Sequence, residues 1–128
     1  MSKPQKQTRA DDLTLYMFPS CPFCHKVTWT LDQLGVDVEY RNIHEDDSHR
    51  EELVEARGQP TVPVLRIASS DPDEPDEWMP ESSDIEQYLA DRFGDGTVPP
   101  KTLSFYLTDW RVLAVIAGLA LALATTLL

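Results

Sequence analysis

Apolar and polar positions alternate along the first ninety-odd residues in two distinct rhythms. LTLYMF (13–18) mixes small, β-branched and aromatic residues and reads as a strand. From about Pro22 to Leu34 the apolar residues Val27, Leu31 and Leu34 fall four and three apart, the spacing of one helix face. Pro22 suits the first turn of that helix, where no amide donor is needed, and Gly35 suits its end. VDVEYRNI (36–43) predicts a second strand. EDDSHREELVEAR follows as a second helix, acidic at its start and basic at its end as the helix dipole favours. Ser48 and Glu51 stand at capping-box spacing, and Gly58 stops the helix. TVPVLRI (61–67) predicts a third strand with Pro63 near its start, and Trp78-Met79 begins a short fourth. SSDIEQYLADRFG closes the series as a third helix, capped by Ser82 or Ser83.

The order is β-α-β-α-β-β-α. A strand, helix and strand at the front favour a parallel pair, and the short connection between strands three and four favours a hairpin. The result is an α/β domain, a four-stranded mixed sheet with helices on both faces. Two cysteines at C-x-x-C spacing, Cys21 and Cys24, open the first helix, and both the architecture and that placement are those of the thioredoxin fold.

Beyond this domain the pattern changes. From Val112 to Leu128 the chain carries no charge over 17 residues, about 26 Å as a helix, against a bilayer core of roughly 30 Å. Phe105, Tyr106 and Trp110 upstream suit a headgroup interface, and Arg111 suits a cytoplasmic flank. The expected organisation is a polar tail (1–11), the thioredoxin-fold domain (12–96), a linker (97–104) and a C-terminal hydrophobic helix (105–128) acting as a membrane anchor. A buried or dimerising helix is the other reading of that run. The first dozen residues lack the apolar core of a signal peptide, so the domain is expected on the cytoplasmic face of the membrane, or soluble in the cytoplasm if the tail packs on protein. Acids number 22 against 11 bases, a net charge of −11, which disfavours a nucleic-acid partner.

In a reducing compartment two cysteines three apart read as redox or metal chemistry rather than a structural staple. Zinc wants about four ligands, and no second C-x-x-C exists. A thiol attacks as the thiolate, and a helix N-terminus favours that form. Cys21 at the helix start is therefore the candidate nucleophile, and Cys24, one turn in and more buried, the resolving thiol. Two inert buried cysteines are the bland alternative. His25 and Lys26 read as surface residues.

Two further elements bear on a ligand. A cis Pro63 at a strand start would leave the preceding backbone exposed to a bound peptide, whereas an ordinary strand-edge proline would do nothing of the kind. In PESSDI (80–85), Glu81, Ser82, Ser83 and Asp84 cluster at a helix start, where amides and hydroxyls suit a carboxylate and an acid suits an ammonium. Plain helix capping also explains the serines.

CPFC, TVP and ESSDI, in that order, resemble the glutaredoxins. The surrounding LYMFPSCPFCHKV and WMPESSDIEQYL resemble the glutaredoxins that share their N-terminal domain with glutathione S-transferases, over about residues 12–94. The resemblance implies glutathione as the reducing co-substrate and no metal. It implies that Cys21 attacks mixed disulfides and Cys24 resolves protein disulfides. Val62, before Pro63, would pair its backbone with the cysteinyl part of glutathione. Glu81 and Ser82 match the pair that transferase-like members use on the γ-glutamyl group, while Ser83 and Asp84 match the pair of the small glutaredoxins. The chain departs from the pattern in carrying Phe18 where many small glutaredoxins have lysine. It also has fewer than 40 residues after the third helix, where transferases continue into an all-helical domain. Pro22 crowds the position that cluster-binding glutaredoxins keep small.

These readings converge on a glutathione-dependent thiol–disulfide oxidoreductase tethered to a membrane, acting on disulfide-bearing or glutathionylated proteins. A glutathione S-transferase-like enzyme and a non-catalytic thioredoxin-fold adaptor at the membrane are the alternatives.

Overall fold

The computed structural model describes residues 8–107, with 115 and 117–119 beyond them. Eight elements run in the order β1 (Thr8–Met17), α1 (Pro22–Leu34), β2 (Val36–Asn42), α2 (Asp47–Arg57), β3 (Val64–Ile67), β4 (Glu77–Met79), α3 (Ser82–Phe93) and α4 (Leu103–Leu107). The four strands form one sheet in the order β2-β1-β3-β4. β1 runs parallel to β2 and antiparallel to β3, and β3 and β4 form an antiparallel hairpin. This is the thioredoxin-like architecture expected from the pattern.

Side chains alternate across a strand, so each strand feeds two cores. Leu13 and Leu15 of β1 and Leu65 of β3 join Val27 and Leu31 of α1 and Ile85 and Leu89 of α3 on one face. Tyr16 and Val64, one position out of phase, join Leu53 of α2 and Ile43 on the other. The second core is smaller and carries a polar rim. Tyr16 Oη donates to Glu52 Oε2 at 2.7 Å and accepts from Arg41 Nη1 at 3.1 Å, and Arg41 also pairs with Glu52.

Several boundaries differ from the sequence expectation, each for a tertiary reason. β1 begins at Thr8 rather than in the LTLYMF run, so four residues assigned to the polar tail are strand. Ala10 is buried there, Arg9 pairs with Asp37 of β2 at 2.9 Å, and the register shifts between Arg9 and Thr14 to accommodate the extra pairing. β3 begins only at Val64, because Pro63 has no amide for the ladder. Ser48 does not cap α2. Asp46 does, its carboxylate accepting from the Ser48 amide at 2.9 Å and the Ser48 hydroxyl at 2.8 Å. Neither Ser82 nor Ser83 caps α3, whose N-cap position is Glu81 with no side-chain capping bond.

Gly35 ends α1 with φ 68°, the left-handed geometry that glycine enters at little cost. Gly94 ends α3 in an extended conformation for another reason. A Cβ there would lie 2.9 Å from Leu34 Cδ2 and 3.1 Å from the Ala90 carbonyl, so the Leu34 side chain would have to move aside and the end of α3 give slightly to admit one.

α4 straddles the expected boundary between the linker (97–104) and the C-terminal hydrophobic helix (105–128), and Phe105, expected at a headgroup interface, is instead 6% exposed against the body of the domain. Among the described residues no helix is long and apolar enough to cross a membrane. The apolar run 112–128, apart from the helical residues Val115 and 117–119, lies outside the described residues, and with it the expected anchor.

Candidate active site

Cys21 occupies the N-cap of α1 with an extended backbone (φ −80°, ψ 118°). Its amide donates to the Phe18 carbonyl at 3.1 Å, closing the turn from β1, and its carbonyl accepts the first helical bond, from His25, at 3.0 Å. The Cys21 sulfur accepts a hydrogen bond from the Cys24 amide at 3.4 Å. It thus takes the capping role that a serine or aspartate oxygen usually plays, beside the positive end of the helix dipole. Both cysteines are free thiols. Both are buried, Cys24 (1% exposed) slightly more deeply than Cys21 (5%). Burial, and secondarily the hydrogen bond with Cys21, raise the Cys24 thiol well above its ordinary range, so Cys24 is held protonated.

Three chain segments meet beside this turn. Phe23 from α1, Thr61, Val62 and Pro63 from the loop before β3, and Pro80, Glu81 and Ser82 at the start of α3 wall a cleft of about 230 Å³. The Val62–Pro63 peptide bond is cis. Phe23 is 55% exposed, and the Lys26 ammonium sits 5.1 Å from its ring centroid. Val62, Pro63, Glu81 and Ser82 are therefore brought together with Phe23, one of the two residues between the cysteines. Cys21 itself is not one of the wall residues. Ser83 and Asp84, one and two positions further along α3, are exposed and do not wall the cleft. Sequence reasoning missed Phe23, Thr61 and Pro80 as wall residues; their only signal was adjacency to CxxC, VP and ES.

The outer side of α1 is covered too. His25, expected as a surface residue, stacks on Phe105 with ring centroids 4.5 Å apart, and its Nε2 donates to the Phe105 carbonyl at 3.0 Å. Phe105 meets Trp29 edge-on at 5.6 Å, and Trp29 Nε1 donates to the Pro100 carbonyl at 3.4 Å. Deeper in, the nearly buried Glu86 of α3 accepts from Thr30 of α1 at 2.8 Å and pairs with Lys101. Burying an aromatic side chain such as Phe105 contributes about 1.5–3 kcal/mol. No local motif announces these contacts, since those that α1 makes join residues 56 to 80 positions apart.

A larger open pocket of about 400 Å³ lies on the other side of the sheet, walled by Glu52, Glu55, Ala56, Arg66 and Trp78. Among the described residues no group of three or more His, Cys, Asp or Glu side chains could hold a metal ion.

Comparison with known proteins places this geometry. Residues 15–98 match the family described as glutathione S-transferase, N-terminal domain. Glutaredoxin 3 of Escherichia coli K12 is 30% identical over 56 residues, which are 44% of this chain and 68% of that protein. Among solved structures, the trimeric glutathione transferase TDR1 of Leishmania superposes with a TM-score of 0.54 at 26% identity, over 67% of this chain and 18% of that one. Glutathione transferase Omega 2S of Trametes versicolor gives a TM-score of 0.55 at 23% identity, over 84% and 46%, a likeness of fold. This chain thus spans less than half the length of either transferase. The family match extends from β1 to beyond α3 and takes in both cysteines, the cis-proline loop and the start of α3, so this chain belongs to the glutathione S-transferase N-terminal-domain family, with a glutaredoxin among its relatives.

Proposed function

We propose that the protein is a glutathione-dependent thiol–disulfide oxidoreductase working through Cys21 and Cys24. The observation that carries the reading is the Cys21 sulfur at the N-cap of α1, hydrogen-bonded by the Cys24 amide. A negative charge developing on that sulfur meets a donor and the helix dipole without any rearrangement.

With a glutathionylated substrate, the Cys21 thiolate attacks the glutathione sulfur. A Cys21–glutathione disulfide forms, the original sulfur–sulfur bond breaks, and the substrate leaves as a thiolate that takes a proton. A second glutathione thiolate then attacks the glutathionyl sulfur, releasing glutathione disulfide and restoring Cys21. With a protein disulfide, Cys21 first forms the mixed disulfide with the protein. Cys24 then loses its proton and attacks Cys21, expelling the reduced protein and leaving a Cys21–Cys24 disulfide for two glutathiones to reduce.

Glutathione occupies the cleft between Phe23, Val62-Pro63 and Glu81-Ser82. Its cysteinyl backbone lies along Val62, and its γ-glutamyl ammonium and carboxylate meet Glu81 and the Ser82 hydroxyl at the start of α3. Glu81 and Ser82, rather than the outward Ser83 and Asp84, carry this contact, because only the former pair walls the cleft. The apolar run 112–128 tethers the domain to the cytoplasmic face of a membrane.

The test is reduction of a small glutathione mixed disulfide by the purified chain with glutathione as reductant. Activity lost in Cys21→Ser and kept in part in Cys24→Ser supports the reading; equal activity in wild type and Cys21→Ser rejects it. Glutathione transfer to an electrophile is the second reading, favoured by the transferase family match. It needs an activated glutathione thiolate rather than a protein thiolate, so conjugation of an aryl chloride by a Cys21→Ser, Cys24→Ser double variant would establish it.

A further inference from the structure

The segment after α3 is tied down at three points. Pro100 accepts from Trp29, Lys101 pairs with Glu86, and Phe105 is stacked on and hydrogen-bonded to His25. Two of those partners, His25 and Trp29, stand one turn apart on α1, and His25 directly follows Cys24. The helix turn that presents the cysteines is therefore bound to the piece of chain that leads to the uncharged run starting at Val112.

Its consequence is one of reach. From Phe105 to Val112 the chain spans about 25 Å at full extension, and α1 adds about 6 Å between His25 and Cys21. Allowing for the contact itself, the Cys21 sulfur stays within roughly 35 Å of the first residue of the apolar run. Were the segment undocked, the chain from Phe93 to Val112 would extend to about 65 Å.

We propose that this docked segment is a short leash that confines exchange at Cys21 to disulfides held close to a bilayer surface. The substrate class is then membrane proteins, or proteins bound to membranes, whose disulfide or glutathionylated cysteine lies within a few tens of ångströms of the headgroups. The inference rests on the oxidoreductase and anchor readings above, and adds to them that the contacts of Pro100, Lys101 and Phe105 set the working height.

The experiment uses the full chain in phosphatidylcholine vesicles, with flotation to score binding. A glutathionylated cysteine is displayed from a lipid headgroup on rigid rods of about 4 or about 18 prolines, roughly 12 and 56 Å long. A small soluble glutathione mixed disulfide serves as the reference. Wild type is expected to reduce the soluble and short-rod substrates and to act at least ~10-fold more slowly on the long rod, which lies beyond the leash. Two variants are expected to restore the long-rod rate with the soluble rate unchanged. One is the double substitution Lys101→Ala, Phe105→Ala. The other inserts about 12 Gly/Ser residues after Leu107, roughly 40 Å at full extension, and leaves every docking contact in place. Equal wild-type rates on the two rods, or a long-rod rate raised by neither variant, overturn the leash. Wild type inactive on the soluble disulfide overturns the oxidoreductase reading instead, and a chain that stays off the vesicles overturns the anchor, and each takes the leash with it.

Discussion

The Cys24 amide donates to the Cys21 sulfur at 3.4 Å, while the Cys24 sulfur one turn deeper is held as a neutral thiol by burial. One residue thus donates to the sulfur of Cys21 and has its own sulfur kept neutral. In the proposed reaction the two cysteines act in sequence. Once Cys21 is bonded to a substrate, its hydrogen bond to the Cys24 thiol no longer favours the protonated form, and only desolvation still opposes ionisation.

That asymmetry predicts the labelling and pH behaviour of the reduced protein. Iodoacetamide at neutral pH is expected to add one group, on Cys21, with Cys24 modified only after unfolding; mass spectrometry of the digested adduct reads this directly. The linkage sign follows from the raised Cys24 thiol. The folded state keeps a proton that the unfolded chain releases above about pH 8.5, so this contribution to stability is full below that pH and is lost as pH rises. Its slope is at most about 1.4 kcal/mol per pH unit. Urea melts of wild type and Cys24→Ser between neutral and alkaline pH should diverge in that direction, and parallel curves would remove the premise.

The cleft makes a separate prediction about glutathione. Glu81→Ala or Ser82→Ala removes a polar partner from the wall and is expected to raise the KM for glutathione about tenfold or more, the effect of one charge-assisted hydrogen bond. Ser83→Ala is expected to change it less than about twofold, since its side chain faces solvent. Steady-state kinetics with varied glutathione separates the two, and a larger effect at Ser83 would move the γ-glutamyl site along the helix.

Tyr16 offers a test of the fold away from the site. It is fully buried, and its hydroxyl is bonded to both Glu52 and Arg41. Tyr16→Phe leaves the Arg41–Glu52 pair without its bridging group and is expected to lower stability by about 1–2 kcal/mol. Glutathione-dependent activity should not change, because Tyr16 belongs to the α2 side of the sheet. Denaturant melts and the mixed-disulfide assay check the two halves of this prediction.

β1 is tied to α3 by Arg92, which grips Asp12 through both carboxylate oxygens at 2.8 and 2.9 Å. That hydrogen bonding holds the Asp12 carboxyl below its ordinary range. A carboxylate with a depressed value stabilises the fold above its unfolded pKa of about 3.9, and the contribution disappears as pH falls through the folded value. Both side chains are partly in water, so a double-mutant cycle with Asp12→Asn and Arg92→Gln is expected to give only about 0.5–1 kcal/mol near neutrality. The coupling should vanish in acid; persistence at low pH would show that packing, not charge, joins the pair.

Much of this fold is legible in the chain because its signals are local. Val27, Leu31 and Leu34 set the face of α1, and Gly35 ends it where a left-handed residue is needed. The caps were harder to read, because several residues compete for each cap position. Asp46, one residue ahead of α2, outcompetes Ser48 by accepting from both its amide and its hydroxyl. The N-terminal strand extension was hidden because Thr8 to Asp12 looks polar. Its pairing depends on Arg9 finding Asp37 across the ladder, and no periodicity within β1 contains that partner.

By itself, then, the sequence determined the element order from β1 to α3, the opening of a helix by Cys21, and a polar third-helix start, while leaving open whether Pro63 was cis or an ordinary strand-edge proline. These follow from φ/ψ preferences and period, which a few neighbouring residues decide. Only the tertiary structure decided that Glu81 and Ser82, not Ser83 and Asp84, turn toward Val62 and Pro63. It alone decided that Phe105 lies buried on His25 and Trp29. Both depend on where the close packing of α1 against α3 brings residues tens of positions apart, and that packing is a property of the assembled sheet and helices rather than of any stretch of chain.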